Sequence, residues 1–113
     1  MRKIMKSALR EKRCTACKPG TPALSAAEIN LLLPAISGWE LNKGQIAKAH
    51  QFKDYHHTMA FVNAVAWLAH REDHHPDLEV GYNRCVVRFS THAVGGLSEN
   101  DFICAAKVDA LME

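Results

Sequence analysis

The chain has 113 residues, 48% hydrophobic and 23% charged, the size and balance of one globular domain rather than two. Its net charge is only +2, and residues 1–13 hold Arg2, Lys3, Lys6, Arg10, Lys12 and Arg13 against a single Glu11, so the remainder is mildly acidic. The basic stripe across a folded face that nucleic acid requires is not expected, and no apolar run of about 18 residues or secretory h-region suggests a membrane or export.

A soluble, cytoplasmic protein is therefore expected, with Cys14, Cys17, Cys85 and Cys104 as reduced thiols. Residues 1–24 read as a basic tail and linker, punctuated by Lys18-Pro19-Gly20-Thr21-Pro22, and residues 25–113 as the single folded domain. Ser25 and Glu28 form a capping-box pattern ahead of Ile29, Leu32 and Leu33, a short helix that Pro34 helps to end. Trp39–Leu41 and Gln45–Phe52 follow as strands joined across Asn42-Lys43-Gly44.

Asp54 is placed to cap the longest periodic segment, in which Phe61, Val62, Val65, Leu68 and Ala69 recur at helical spacing. Pro76 disfavours the α conformation at His75, so this helix finishes by about His74 and the double histidine stands at its end. Leu78, Val80 and Tyr82 alternate on a third strand, and Cys85, Val87 and Phe89 on a fourth, with Asn83-Arg84 between them. After Gly95-Gly96, Ser98 and Asp101 open a last helix carrying Phe102, Ala105, Ala106 and Val108. The order αββαββα implies an α+β fold, a four-stranded antiparallel sheet with helices packed on one face.

Seven histidines are a high load for this length, and histidine titrates near neutral pH, which suits proton transfer. His50, His56 and His57 read as surface residues without a role. His70 and His74, four apart, would share a helix face as metal ligands do. However, Arg71 stands where a zinc-protease motif requires Glu, so a metal-dependent hydrolase using His70, His74 and His92 is the weaker alternative and no metal site is assigned. Cys14-Thr15-Ala16-Cys17 has the spacing of half a zinc ribbon or a redox dithiol, but no second CxxC follows.

His74-His75-Pro76, five residues, Tyr82, nine residues, His92, eight residues and Asp101 form an ordered set. Together with Gly38-Trp39, Phe52-Lys53-Asp54, Asp73, Ser90-Thr91 and Gly96-Leu97-Ser98, it resembles the pterin-4a-carbinolamine dehydratases over about residues 25–111. The resemblance implies dehydration of 4a-hydroxytetrahydrobiopterin to quinonoid dihydropterin, a product-recycling step serving aromatic amino-acid hydroxylases. It implies no metal or organic cofactor, and a homodimer or homotetramer.

It further implies His74 and His92 as the acid and base, with His75 orienting the pterin. Pro76 would set the bend, with Thr91, Ala93 and Val94 lining the opposite wall. Asp101 would orient His92 or cap the last helix. His70 and Ala93 stand where many animal members carry acids, whereas Glu72-Asp73, Asp77-Leu78-Glu79-Val80 and the Cys14/Cys17 extension look more like bacterial members. Animal members also serve as dimerisation cofactors of a transcription factor, so a non-catalytic interaction role is the alternative function.

Overall fold

Residues 6–113 are described by a computed structural model, and their local order follows from caps and turns visible in the chain. Ahead of the domain proper, Lys6–Glu11 forms a short helix, α1. The Ser25 hydroxyl accepts from Glu28 N–H and the Glu28 carboxylate accepts from Ser25 N–H, closing the capping box that starts α2 at Ala26–Leu32. Pro34 then sits in the first positions of a 3-10 turn, Leu33–Ala35, where its missing N–H costs nothing.

Strands β1 (Glu40–Asn42) and β2 (Gln45–Gln51) are joined by Lys43-Gly44. Both loop residues have positive φ, 49° and 75°, as a two-residue hairpin whose twist matches its strands demands. Asp54 caps α3, Tyr55–Glu72, by accepting from His57 N–H at 2.9 Å. Strands β3 (Asp77–Val80) and β4 (Arg84–Phe89) follow, and the Ser98–Asp101 pair opens α4, Glu99–Ala110. Tyr82, expected on the third strand, instead lies in the exposed link between β3 and β4, because Gly81 N–H already turns back to Arg84 O at 2.8 Å.

The sheet is antiparallel throughout, in the order β1-β2-β4-β3. Its α+β architecture agrees with the sequence expectation. Ile46, Cys85, Val87 and Phe89 point to one face and meet Phe61 and Val65 of α3 and Phe102, Ala105 and Ala106 of α4 in a single core. The other face carries Glu79, Arg84 and Arg88, with Glu79 paired to both arginines. Asn100 through Ala106 are all buried, so α4 is enclosed on every side rather than half-exposed.

Two sequence expectations fail here for the same reason. Leu9 of α1 is 1% exposed and belongs to the core, and α1 packs on α4, so the tail reading of residues 1–24 does not describe residues 6–17. Its basic residues pair with distant acids, Arg10 with Glu113 at 2.6 Å and Lys12 with Glu99 at 3.1 Å, and Lys107 Nζ of α4 donates to Arg10 O at 2.7 Å. The part of that segment formed by residues 1–5 lies outside the described residues.

His50, read as a surface residue, is 6% exposed between Trp39 and Phe61, with ring centroids at 6.3 and 4.6 Å. In both cases a polar or charged neighbourhood was taken for exposure, whereas the alternation Ile46, Lys48, His50 points all three side chains inward.

His50 Nε2 is buried with no hydrogen-bond partner among the described residues. Burial, and then the charge of Lys48, push its pKa below 6.5, with Asp109 opposing. The unfolded chain therefore takes up a proton that the folded chain resists, so stability is highest above the unfolded pKa and falls as pH drops below about 6.5. Thermal melts from pH 7.5 to 5 should decline, and His50→Phe should flatten that part of the curve. An equal slope in the variant would assign the effect elsewhere.

Candidate active site

The end of α3 positions the first histidine. Glu72 is the last helical residue, Asp73 takes the left-handed conformation (φ 49°, ψ 42°), and His74 N–H donates back to Ala69 O at 3.2 Å. Aspartate tolerates this conformation better than most residues, and the closure satisfies a carbonyl that the helix end leaves open. The chain is thereby turned inward at His74 and outward again through His75, which is exposed, before Pro76 and Asp77 lead into β3.

His74 Nε2 lies 2.6 Å from Asp101 Oδ1. Asp101 is fully buried, and its Oδ2 accepts from Thr91 Oγ1 at 2.8 Å and from Ser98 N–H at 2.9 Å. A carboxylate only accepts, so the Thr91 proton is committed to Asp101 and Ser98 Oγ, 2.8 Å away, donates to Thr91. Phe89 lies parallel to the His74 ring, with centroids 5.9 Å apart and planes 8° apart. Asp101 thus caps α4, as one of its two sequence readings has it, and the histidine it holds is His74 rather than His92.

Two hollows meet at this cluster. His74 opens into one of about 420 Å³, walled by Cys14, Thr15, Ala16 and Cys17 on one side and by Thr91, Ala93 and Asn100 on the other. His92 begins a 3-10 turn, His92–Val94, and lines a second hollow of about 260 Å³ with Lys43, Gly44, Ser90 and Gly96. Thr91 belongs to both. His75, Pro76 and Val94 line neither. His70 is exposed and stacks on Trp67 at 5.8 Å, so the turn at Asp73 separates it from His74 despite their i, i+4 spacing.

Sequence reasoning missed Glu72, Asn100 and the cysteine segment. Glu72 is buried, accepts from Cys14 N–H at 2.8 Å, pairs with Arg13 Nε at 3.1 Å and lies 3.9 Å from Lys107 Nζ. The signal was present: Val65, Ala69 and Glu72 are spaced by four and three and so share the buried stripe of α3. Asn100 holds Thr15 from both sides, through Oδ1 to its N–H at 3.1 Å and Nδ2 to its carbonyl at 2.7 Å. No local pattern in the sequence marks that contact.

Residues 22–111 match the family model described as pterin 4 alpha carbinolamine dehydratase. The chain belongs to the pterin-4a-carbinolamine dehydratase family. It is 61% identical over 107 residues to a relative from Stenotrophomonas maltophilia strain K279a, covering 93% of this chain and 92% of that one. It is 56% identical over 105 residues to another from Nitrosospira multiformis, covering 93% of each. Both are provisionally named pterin-4-alpha-carbinolamine dehydratase.

Among solved structures, a transcriptional coactivator/pterin dehydratase from Brucella melitensis superimposes with a TM-score of 0.77 at 32% identity, covering 80% of this chain and 99% of that one. A pterin dehydratase-like protein identified as a RuBisCO assembly factor in the alpha-carboxysome has a TM-score of 0.55 at 26% identity, covering 65% and 84%. Membership in this dehydratase family makes the chain a hydro-lyase, an enzyme that eliminates water. Among the described residues, no helix is long and apolar enough to cross a membrane.

Proposed function

We propose that the chain dehydrates 4a-hydroxytetrahydrobiopterin, with the pterin ring lying over Thr91 between His74 and His92. The observation that carries this reading is the buried Asp101 carboxylate at 2.6 Å from His74 Nε2. It holds Nε2 as the protonated nitrogen and leaves Nδ1 to exchange a proton with substrate. The hollows that Thr91 lines on either side, one beside His74 and one beside His92, support this placement.

The elimination needs one proton delivered and one removed. Protonation of the C4a hydroxyl lets the C–O bond break and water leave, the N5 lone pair forms the C4a=N5 bond, and loss of the N5 proton gives the neutral quinonoid dihydropterin. His74 and His92 serve as the acid and base, each worth roughly 10²–10⁴-fold. His75 orients the ring, Pro76 sets the bend before β3, and Ala93 and Val94 complete the opposite wall. The substrate is supplied by a pterin-dependent aromatic amino-acid hydroxylase, and the protein works in the cytoplasm as a homodimer or homotetramer.

The test is turnover of freshly generated carbinolamine against the buffer rate at several pH values. His74→Ala and His92→Ala should each lower kcat about a hundredfold or more, while His75→Ala chiefly raises KM. Pure protein no faster than buffer would remove the dehydratase reading, and unaltered kinetics in all three variants would remove these residue roles. A second reading, an interaction module on the same fold, draws on the names of the Brucella coactivator and the carboxysomal assembly factor. It is favoured by the first of those negative results.

A further inference from the structure

The Cys14–Cys17 segment has no part in the proposed elimination, yet it forms one wall of the His74 hollow. Its backbone is held there by Glu72 and Asn100: Cys14 N–H to Glu72 Oε1 at 2.8 Å, and Thr15 bonded at both its N–H and its carbonyl by the Asn100 amide. These bonds bring Cys14 Sγ to 3.4 Å from Cys104 Sγ, one turn beyond Asn100 on α4 and 90 residues away in the chain. Cys17 Sγ instead accepts from Asn100 Nδ2 at 3.8 Å, and Cys85 lies apart on β4.

We propose that Cys14 and Cys104 are a redox pair, which a low-molecular-weight disulfide oxidises to a bridge that clamps residues 14–17 to α4 beside the His74 hollow. The inference goes beyond the dehydratase reading and does not depend on it. Cys14 is half-buried and Cys104 fully buried, so the oxidant meets Cys14 first. With glutathione disulfide, the Cys14 thiolate attacks one sulfur, the S–S bond breaks, and the departing glutathione takes up the proton that Cys14 lost. The Cys104 thiolate then attacks Cys14 Sγ in the mixed disulfide, and a second glutathione leaves with the Cys104 proton. Two protein thiols are oxidised and one glutathione disulfide is reduced to two thiols, so atoms and electrons balance.

Cys104 is held above the usual thiol range, first by its hydrogen bond with Cys14 and then by burial, with the charges of Cys14, Glu72 and Asp101 adding to both. Capping Cys14 as a mixed disulfide removes the first of these causes. The second step is therefore favoured by the first. The bridge closes a long span of chain, and bridges over long spans constrain the unfolded state most.

The experiment treats full-length protein with glutathione disulfide and reads intact mass, a non-reducing tryptic map and the melting temperature. Wild type and Cys17→Ser should each lose a hydrogen pair, link the Cys14 and Cys104 peptides, and melt about 10 °C higher than when reduced. Cys14→Ser should do none of these. A Cys14–Cys17 bridge, a bridge persisting in Cys14→Ser, glutathione adducts without a bridge, or an unchanged melting temperature in bridged protein would each overturn the proposal. Carbinolamine turnover measured on the same samples keeps the two readings separate: a protein inactive in both states removes the dehydratase reading and leaves the bridge result standing.

Discussion

Asp101→Asn should lower carbinolamine turnover about a thousandfold while leaving the protein folded. The substitution preserves shape and reverses one hydrogen-bonding role. Oδ2 of Asp101 accepts from both Thr91 and Ser98, so the asparagine oxygen must take that position and its NH2 must face His74 Nε2. Nε2 then has to accept and the imidazole proton moves to Nδ1; the nitrogen available to substrate cannot take up a proton, and the amide NH2 disfavours the imidazolium that would deliver one, so His74 fails in either role. The same carboxylate-to-amide change in a serine-protease triad costs about 10⁴-fold through the tautomer alone.

The stability cost is smaller, about 1–2 kcal/mol, the difference between charge-assisted and neutral hydrogen bonds. Asp101→Ala is the contrasting variant. It strands Ser98 N–H, Thr91 and His74 together and should cost about 3–5 kcal/mol. Steady-state kinetics of Asp101→Asn with its circular dichroism spectrum provide the check, and the pH dependence of kcat should change shape as well as height. Folded protein retaining kcat within tenfold would mean that Asp101 serves the cap of α4 and not His74.

Phe89→Ala should destabilise the protein by about 3–5 kcal/mol, lowering its melting temperature by roughly 15–20 °C. Phe89 is 1% exposed, packs on Trp39 with centroids 5.9 Å apart, and supplies the flat surface behind His74. Truncation leaves a cavity in the core and removes the ring that limits rotation of the imidazole, so residual activity below the new melting point should fall too. Phe89→Leu keeps most of the volume but not the parallel ring, and should separate the two effects: a smaller loss of stability with a comparable loss of kcat. Denaturant titration of both variants settles it, and a loss under about 1 kcal/mol for the alanine variant would show that the core closes around the gap.

Much of the fold was legible because its signals are local. The Ser25–Glu28 and Ser98–Asp101 boxes, the Asp54 cap, the Lys43-Gly44 turn and the alternation through β2 and β4 are all fixed by residues within a few positions of one another. The candidate site was legible as a set of residue types in order. Its wiring was not, since Asp101 meets His74 across 27 residues and Cys14 meets Glu72 across 58. His50 reads as a surface residue among polar neighbours but lies in the core, because Trp39 and Phe61 pack around its inward-facing ring.

The amino-acid order by itself determined helices α2, α3 and α4, the two hairpins and the end of α3 near His74, through capping, backbone preference and hydrophobic period. Only the tertiary structure decided which histidine receives the buried carboxylate, where His70 points, and that residues 6–17 fold back onto α4 instead of remaining in solvent. Local preferences act over a turn of helix or a pair of strand residues. A buried charge finds its partner only when packing has closed the distance, and no sequence interval encodes that distance.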